Sequence, residues 1–407
     1  MNPVVKVGRF IRKFGTGAPQ ATALVLGGGF AGLEAAIGLS QKGLNVTLVS
    51  DREEMFIYPT SIWMVTGQHQ RKHDTINLKI AATQYAFQFV HGKVDAIHPE
   101  SKSATVNGKE LRGDFLVLAM GSGKMSMPGI ANTHTICGKP EDTETLHEAL
   151  ERLIASSGGR IAFGFGGNPK DKSAVRGGPL FEVIFNVHQL LKKRKVRDRF
   201  ELTFFAPMPN PGVRMGEKAA DAVHRMLAKI DVAQRVGKKI TRFDETGVVF
   251  EDDSRLDTDL TVFVPASTGH PLIHSGVSPE AALPATSLPV NTAGFVTIDG
   301  QCRVSGFENV YAIGDAAAIE GPQWRAKQGH LTVEMARIAV KSIVATVTGS
   351  SVKKDYRDHV NILCIMDTAT GAAIVKRTTR KATMIYLPFI GHLLKKAWGY
   401  WYRLSHG

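Results

Sequence analysis

The chain has 407 residues, 43% apolar and 21% charged, the composition of a globular protein of two or three domains, which excludes a disordered chain. Its 50 Lys and Arg against 37 Asp and Glu leave a net charge of +13, an excess that draws anionic partners such as lipid headgroups, nucleic acid or acidic substrates. Three widely spaced cysteines, Cys137, Cys302 and Cys364, exclude a disulfide scaffold and a zinc cluster. No uncharged apolar run reaches the roughly 18 residues of a membrane-spanning helix.

Residues 1–20 form a basic leader in which Lys6, Arg9, Arg12 and Lys13 are interleaved with Val7, Phe10, Ile11 and Phe14. It lacks the continuous apolar core of a secretory signal and reads equally as an amphipathic surface anchor or a loose lead-in. Next comes "ATALVLGGGFAGLEAAIGLSQKGLNVTLVS". The pattern predicts a strand over 23–26, a helix, and a second strand over 46–49, with Gly27, Gly29 and Gly32 in the turn between. Gly27 suits a tight turn, Gly29 lets the backbone approach a pyrophosphate at the helix N-terminus, and Gly32 lets helix and strand pack closely. With Phe30 and Ala31 they form a cradle for a dinucleotide. The acid expected at the end of the second strand, for the ribose, is displaced: Ser50 stands there, followed by Asp51 and Arg52.

Two further strands identify the dinucleotide as FAD. "DFLVLAMGS", residues 114–122, ends with Ala119 and Gly121; "ENVYAIGDAAAI", residues 308–319, ends in Gly314-Asp315, whose carboxylate can reach a ribityl hydroxyl. Between them, "GRIAFGFGGNPKDKSAVRGGPLFEVIFN" opens like a second nucleotide unit, but Asn168-Pro169-Lys170-Asp171-Lys172 follow the glycines. A proline and two lysines remove the small residues that let a helix start against a pyrophosphate, which disfavours NADH bound in the usual manner. His270 and His274 have i, i+4 spacing with Pro271 between them, so they read as a loop and not as a metal site. From Pro388, Ile390, Leu393, Leu394, Ala397, Trp401 and Leu404 recur at helical spacing beside Lys395, Lys396 and Arg403. This is either a helix lying in a membrane interface or one that closes the domain core. Gly391 and Gly399 weaken it.

The segments "LGGGFAG", "LAMGS" (Met120 in place of the usual Thr) and "YAIGDAA" make the chain resemble the two-dinucleotide-binding-domain flavoproteins over about residues 21–345. The fold class implied is α/β, two Rossmann-like dinucleotide-binding domains of the FAD/NAD(P)-binding kind plus a C-terminal membrane-associating segment. The division expected is 21–150 with 285–345 for the FAD-binding domain, 151–284 for the second, and 346–407 for the C-terminal domain with its amphipathic helix.

Within that group, Gly178-Pro179 and Glu182, "HTICGKPEDTETL", "NILCIMDTATGAAIV", "AKQGHLTVEMARIAVKSI" and Tyr58-Pro59 resemble the sulfide:quinone oxidoreductase and flavocytochrome c sulfide dehydrogenase family. The resemblance implies that Cys137 lies near the flavin ring, to which some members attach it, and that Cys364 lies beside the flavin's reactive carbon. It also implies that Pro59 belongs to the loop beside the flavin and that the tail sits on a bilayer and draws quinone from it. Thiolates both attack and accept sulfur, so a cysteine pair can capture hydrosulfide and pass two electrons to a flavin. Here Arg176 replaces the partner cysteine, and "PMPNPGVRMG" lacks the histidine often found there.

The expected catalytic set is therefore Cys364 as nucleophile, Glu182 moving protons, Arg176 attracting an anion, and Lys327 placing positive charge near the flavin's N1–C2 carbonyl. Expected partners are quinone, a small inorganic donor such as sulfide, and anionic lipid at the prokaryotic inner membrane. A homo-oligomer is left open, and nucleic acid has no motif to support it. Two alternatives stand beside this reading: a type II NADH:quinone oxidoreductase with an unusual nucleotide loop, and a flavin-bearing subunit without its own donor chemistry.

Overall fold

The computed structural model describes residues 20–273 and 287–407; the leader up to residue 19 and His274 lie outside them. Thr22–Leu26, the helix Phe30–Gln41 and Asn45–Ser50 form the predicted βαβ unit. Its strands join a five-stranded sheet with the order Val310–Ala312, Phe115–Leu118, Thr22–Leu26, Asn45–Ser50, Gln88–His91, parallel throughout. Parallel strands covered on both faces read as unbroken apolar runs, and Phe115–Leu118 is buried at every position. The helix Gly329–Thr348 packs on Phe30–Gln41, where a Cβ at Gly38 would lie 3.0 Å from Val340 Cγ2.

A second parallel sheet runs in the order Val232–Val236, Phe200–Ala206, Gly159–Phe165, Leu260–Val264. Against it lies Gly178–Lys193, whose Phe181 ring sits 5.1 Å from Phe204 and 6.0 Å from Phe165. The helix Pro140–Ala155 crosses the expected boundary at 150 and buries Leu146, Ala149 and Leu150 in this second core, together with Trp63 and Cys137 from earlier in the chain. The C-terminal part is an antiparallel sheet, Ile362–Asp367, Gly371–Arg377 and Ala382–Pro388, followed by the helix Ile390–His406. Among the described residues, no helix is long and apolar enough to cross a membrane.

Candidate functional site

The two nucleotide units and the C-terminal part enclose one cavity of about 1940 Å³, larger than the usual range of roughly 300–1,000 Å³ for a drug-sized ligand. At one end the first glycine turn forms its wall. Gly27 has φ +110°, and a Cβ there would stand 2.4 Å from the Ala119 carbonyl oxygen. A Cβ at Gly32 would come within 1.8 Å of the Gly27 carbonyl oxygen, so helix and turn meet as the spacing predicts. Gly29 differs: nothing lies within 4 Å of its Cβ position, and the open space belongs to the cavity, at the N-terminus of Phe30–Gln41 where backbone N–H groups favour a phosphate. Gly121 also lines the cavity with free space at its Cβ position. Gly314 packs on the helix start, its Cβ position 2.9 Å from Ala31 Cβ.

Phe30, Ser50, Asp51, Arg52, Pro59, Ala119 and Asp315 line the same space. Ser50 Oγ accepts the Arg52 N–H at 3.2 Å, and the Arg52 guanidinium donates to the Gly138 carbonyl at 3.0 Å. These residues fit a dinucleotide stretched from the glycine turn toward Cys137.

Cys137 is buried, with its Sγ 3.1 Å from Tyr58 Oη; burial raises the pKa of both groups. Cys364, on the strand Ile362–Asp367, lines the cavity together with Glu182 and Lys395. Burial, reinforced by the charge of Glu182, pushes the Cys364 thiol up to about 12. At neutral pH it is a thiol, and its use as a nucleophile requires a base.

Glu182 is a buried carboxyl within the same cavity wall. Loss of solvent raises its carboxyl to about 7, against the opposing pull of Lys395. Its Oε2 receives the Lys395 ammonium and, at 2.8 Å, the Asp367 N–H. Asp367 is itself fully buried, accepting from Asn186 Nδ2 at 2.9 Å and facing His392 Nδ1 at 2.6 Å. Its carboxyl is lowered because the His392 and Asn186 bonds outweigh its burial. Lys395, Asp367, Asn186 and His392 are site residues that the sequence did not single out. Asn186 stands four residues after Glu182 on one helix, so its polarity on a buried face was the available signal.

Lys395 is read from the sequence as a flanking base beside the apolar stripe of a helix that either lies in a membrane interface or closes the core. It is buried, its side chain 6% exposed, because it pairs with Glu182. The stripe itself is outside: Ile390 is 63% exposed, Leu393 63% and Trp401 61%, with Leu394, Ala397 and Leu404 also exposed.

Arg176 and Asp315, expected in separate roles, meet as an ion pair, the Arg176 side chain 25% exposed. The guanidinium that stands in place of the partner cysteine therefore neutralises the Gly-Asp turn. Lys327 is buried beneath the same turn, donating to the carbonyls of Asp315, at 3.1 Å, and Ala317, with its ammonium 3.9 Å over the Phe295 ring. Desolvation lowers its pKa to about 7.

The loop of the second nucleotide unit is braced by its own polar side chains, while Gly166, Gly167 and Asn168 line the cavity. Asn168 donates to the Ser267 carbonyl at 2.8 Å and accepts from the Lys170 N–H at 2.9 Å, and Asp171 accepts from Ser173 N–H at 2.8 Å. The next α-helix begins only at Gly178. The neighbouring strand ends at Ala206, where Pro207 and Met208 follow in place of an acid for a ribose.

Residues 21–342 match the model of the family described as pyridine nucleotide-disulphide oxidoreductase. The sulfide-quinone reductase of Aquifex aeolicus (strain VF5) is 25% identical over 371 residues, which cover 84% of this chain and 80% of that protein. Apoptosis-inducing factor homolog B of Dictyostelium discoideum is 24% identical over 352 residues, 83% of this chain and 84% of that one. Among solved structures, the sulfide:quinone oxidoreductase from Aquifex aeolicus superposes with a TM-score of 0.81 at 20% identity, over 95% of this chain and 91% of that one. NDH2 from Plasmodium falciparum in complex with NADH gives 0.69 at 11% identity, over 95% and 98%. A match that runs from the first glycine turn through the second unit to the helix after Gly314-Asp315 means that the chain belongs to the pyridine nucleotide-disulphide oxidoreductase family, with FAD as its cofactor.

Proposed function

We propose that the chain is an FAD-dependent oxidoreductase that takes two electrons from sulfide, or a comparably small donor, and passes them to quinone at a membrane surface. The observation that carries this reading is the shared cavity. It joins the FAD cradle to Cys364 and Glu182, and although Gly166, Gly167 and Asn168 also line it, their loop faces Pro207 and Met208 where an acid for the NADH ribose would stand. The similarity to sulfide-quinone reductase supports the same donor.

The chemistry assigned to the residues follows from their settings. FAD supplies the two-electron carrier. Cys364 is the group that meets the donor sulfur: joining hydrosulfide to its sulfur would give a persulfide, one proton and two electrons, the electrons going to bound FAD as the oxidant and the proton, that of the Cys364 thiol, to Glu182, whose carboxyl is raised to about 7. Arg176 with Asp315 sets a locally neutral wall, and Lys327 lies buried behind it as an amine whose pKa, lowered to about 7, lets it hold or release a proton there. Quinone would reach the cavity from the side of the C-terminal helix, whose exposed apolar face we assign to the bilayer interface. With anionic lipid as the surface, the +13 net charge acquires a partner.

The test is steady-state reduction of a water-soluble quinone by the purified FAD-loaded protein, with sulfide or NADH as donor. Sulfide-dependent turnover without NADH-dependent turnover is expected. Turnover with NADH alone would replace this reading with an NADH:quinone oxidoreductase, and turnover with neither would favour a flavin-bearing subunit.

A further inference from the structure

The helix Ile390–His406 touches both nucleotide units at once. Its first turns are tied to the second unit and the C-terminal sheet through Lys395 on Glu182 and His392 on Asp367. Its last turns reach the first unit: Tyr402 Oη donates to Glu34 Oε1 at 3.2 Å, and His406 Nε2 meets the same oxygen at 3.1 Å. The Tyr402 ring lies 5.1 Å from Phe30 and stacks on His406 at 4.1 Å, while Tyr85 donates to the Ser405 carbonyl. Phe30 and Glu34 sit in the opening turns of the helix that starts at the FAD cradle. Trp398, Trp401, Tyr402 and His406 line the same cavity as Gly27 and Gly29.

Two glycines allow the close seat. A Cβ at Gly391 would lie 2.6 Å from the Ala372 backbone nitrogen, and one at Gly399 would lie 2.5 Å from Thr60 Cγ2. In the isolated sequence they only weaken a helix; in place they let it seat closely on Ala372 and Thr60 along the wall of the cavity. The end contacts with Glu34 take no part in the donor chemistry proposed above.

We propose that this helix is a strap over the cofactor cavity and that Tyr402, His406 and Glu34 are the latch that retains FAD. The inference rests on FAD as the cofactor and is independent of which donor reduces it.

The test measures FAD release from the FAD-loaded protein by the fluorescence of free flavin after dilution, in a Cys137→Ala background that removes any covalent tether through that thiol. Tyr402→Phe combined with His406→Ala should speed release about tenfold, the factor expected from losing one or two hydrogen bonds, and Gly391→Val, whose side chain strikes the Ala372 backbone and unseats the helix, should also speed it. Leu393→Ser with Leu394→Ser, on the outer face, should leave the rate unchanged. Release at the parent rate in both strap variants would overturn the proposal. Hydrogen exchange gives a reading without those substitutions: by linkage, amides of residues 390–406 should exchange more slowly with FAD bound than after its removal, and equal exchange would overturn it as well.

Discussion

Replacing Lys395 by Met leaves Glu182 in place without its ammonium partner. Both side chains are nearly inaccessible, 6% and 5% exposed, and breaking a buried pair by removing one member typically costs about 3–5 kcal/mol. Glu182 can avoid the full cost by taking up a proton, and its carboxyl is already raised to about 7 in the intact protein. A raised folded-state value means that the folded chain holds its proton more tightly than the unfolded one. The associated stability is present below the ordinary value near 4.5 and is lost as pH rises through about 7. Without Lys395 the carboxyl rises further, and the loss extends to higher pH.

At pH 6 both proteins keep Glu182 largely protonated, so the variant should be less stable by only about 1–2 kcal/mol, from lost packing and hydrogen bonding. Above pH 7 the difference should grow by about 1.4 kcal/mol per unit until it meets the ceiling of about 3–5 kcal/mol. Urea unfolding at pH 6, 7, 8 and 9 with FAD in excess measures it, and Glu182→Gln in the same chain should remove most of the pH-dependent part. A penalty that stays constant across this range, or one that Glu182→Gln leaves intact, would refute the pairing as the cause.

The glycine turn makes a paired prediction. Gly29→Ala should leave FAD-free stability within about 0.5 kcal/mol and yet abolish tight FAD binding, because its side chain enters only the cavity. Gly32→Ala should lose both, because its side chain strikes the Gly27 carbonyl; thermal melts and flavin titration separate the two. Cys364→Ser should reduce the rate of sulfide-driven flavin reduction by at least about 100-fold, measured by stopped-flow absorbance, and an unchanged rate would remove Cys364 from the chemistry. Leu393→Ser with Leu404→Ser, both exposed on the apolar stripe, should weaken flotation with vesicles containing anionic lipid while leaving FAD content unchanged. Retained flotation would move the membrane contact elsewhere.

The sequence made the first nucleotide unit readable because its determinants are local. Gly27, Gly29 and Gly32 lie within six residues; Gly27 and Gly32 meet backbone at their Cβ positions, and Gly29 opens onto the cavity. The cavity also gathers Cys137, Cys364, Glu182, Arg176 and Asp315 from segments that the family resemblance had picked out. What stayed hidden depends on pairings made only by folding. Lys395 and Glu182 are 213 positions apart, and a lysine beside a Leu-rich stripe gives no local sign that it turns inward. Arg176, read from the family resemblance as a residue that attracts an anion, pairs with Asp315 of the opposite nucleotide unit, a partner distant in sequence that no local pattern announces. The apolar stripe of the C-terminal helix was legible from its spacing, whereas the close seats of Gly391 and Gly399 require the neighbours Ala372 and Thr60.

The most direct test of the proposed function is anaerobic single-turnover mixing of the FAD-loaded protein with sulfide or NADH, followed by flavin absorbance. The account predicts rapid loss of the oxidised flavin band with sulfide, slow or absent loss with NADH, and return of the band on adding quinone. Rapid bleaching by NADH with none by sulfide would contradict it.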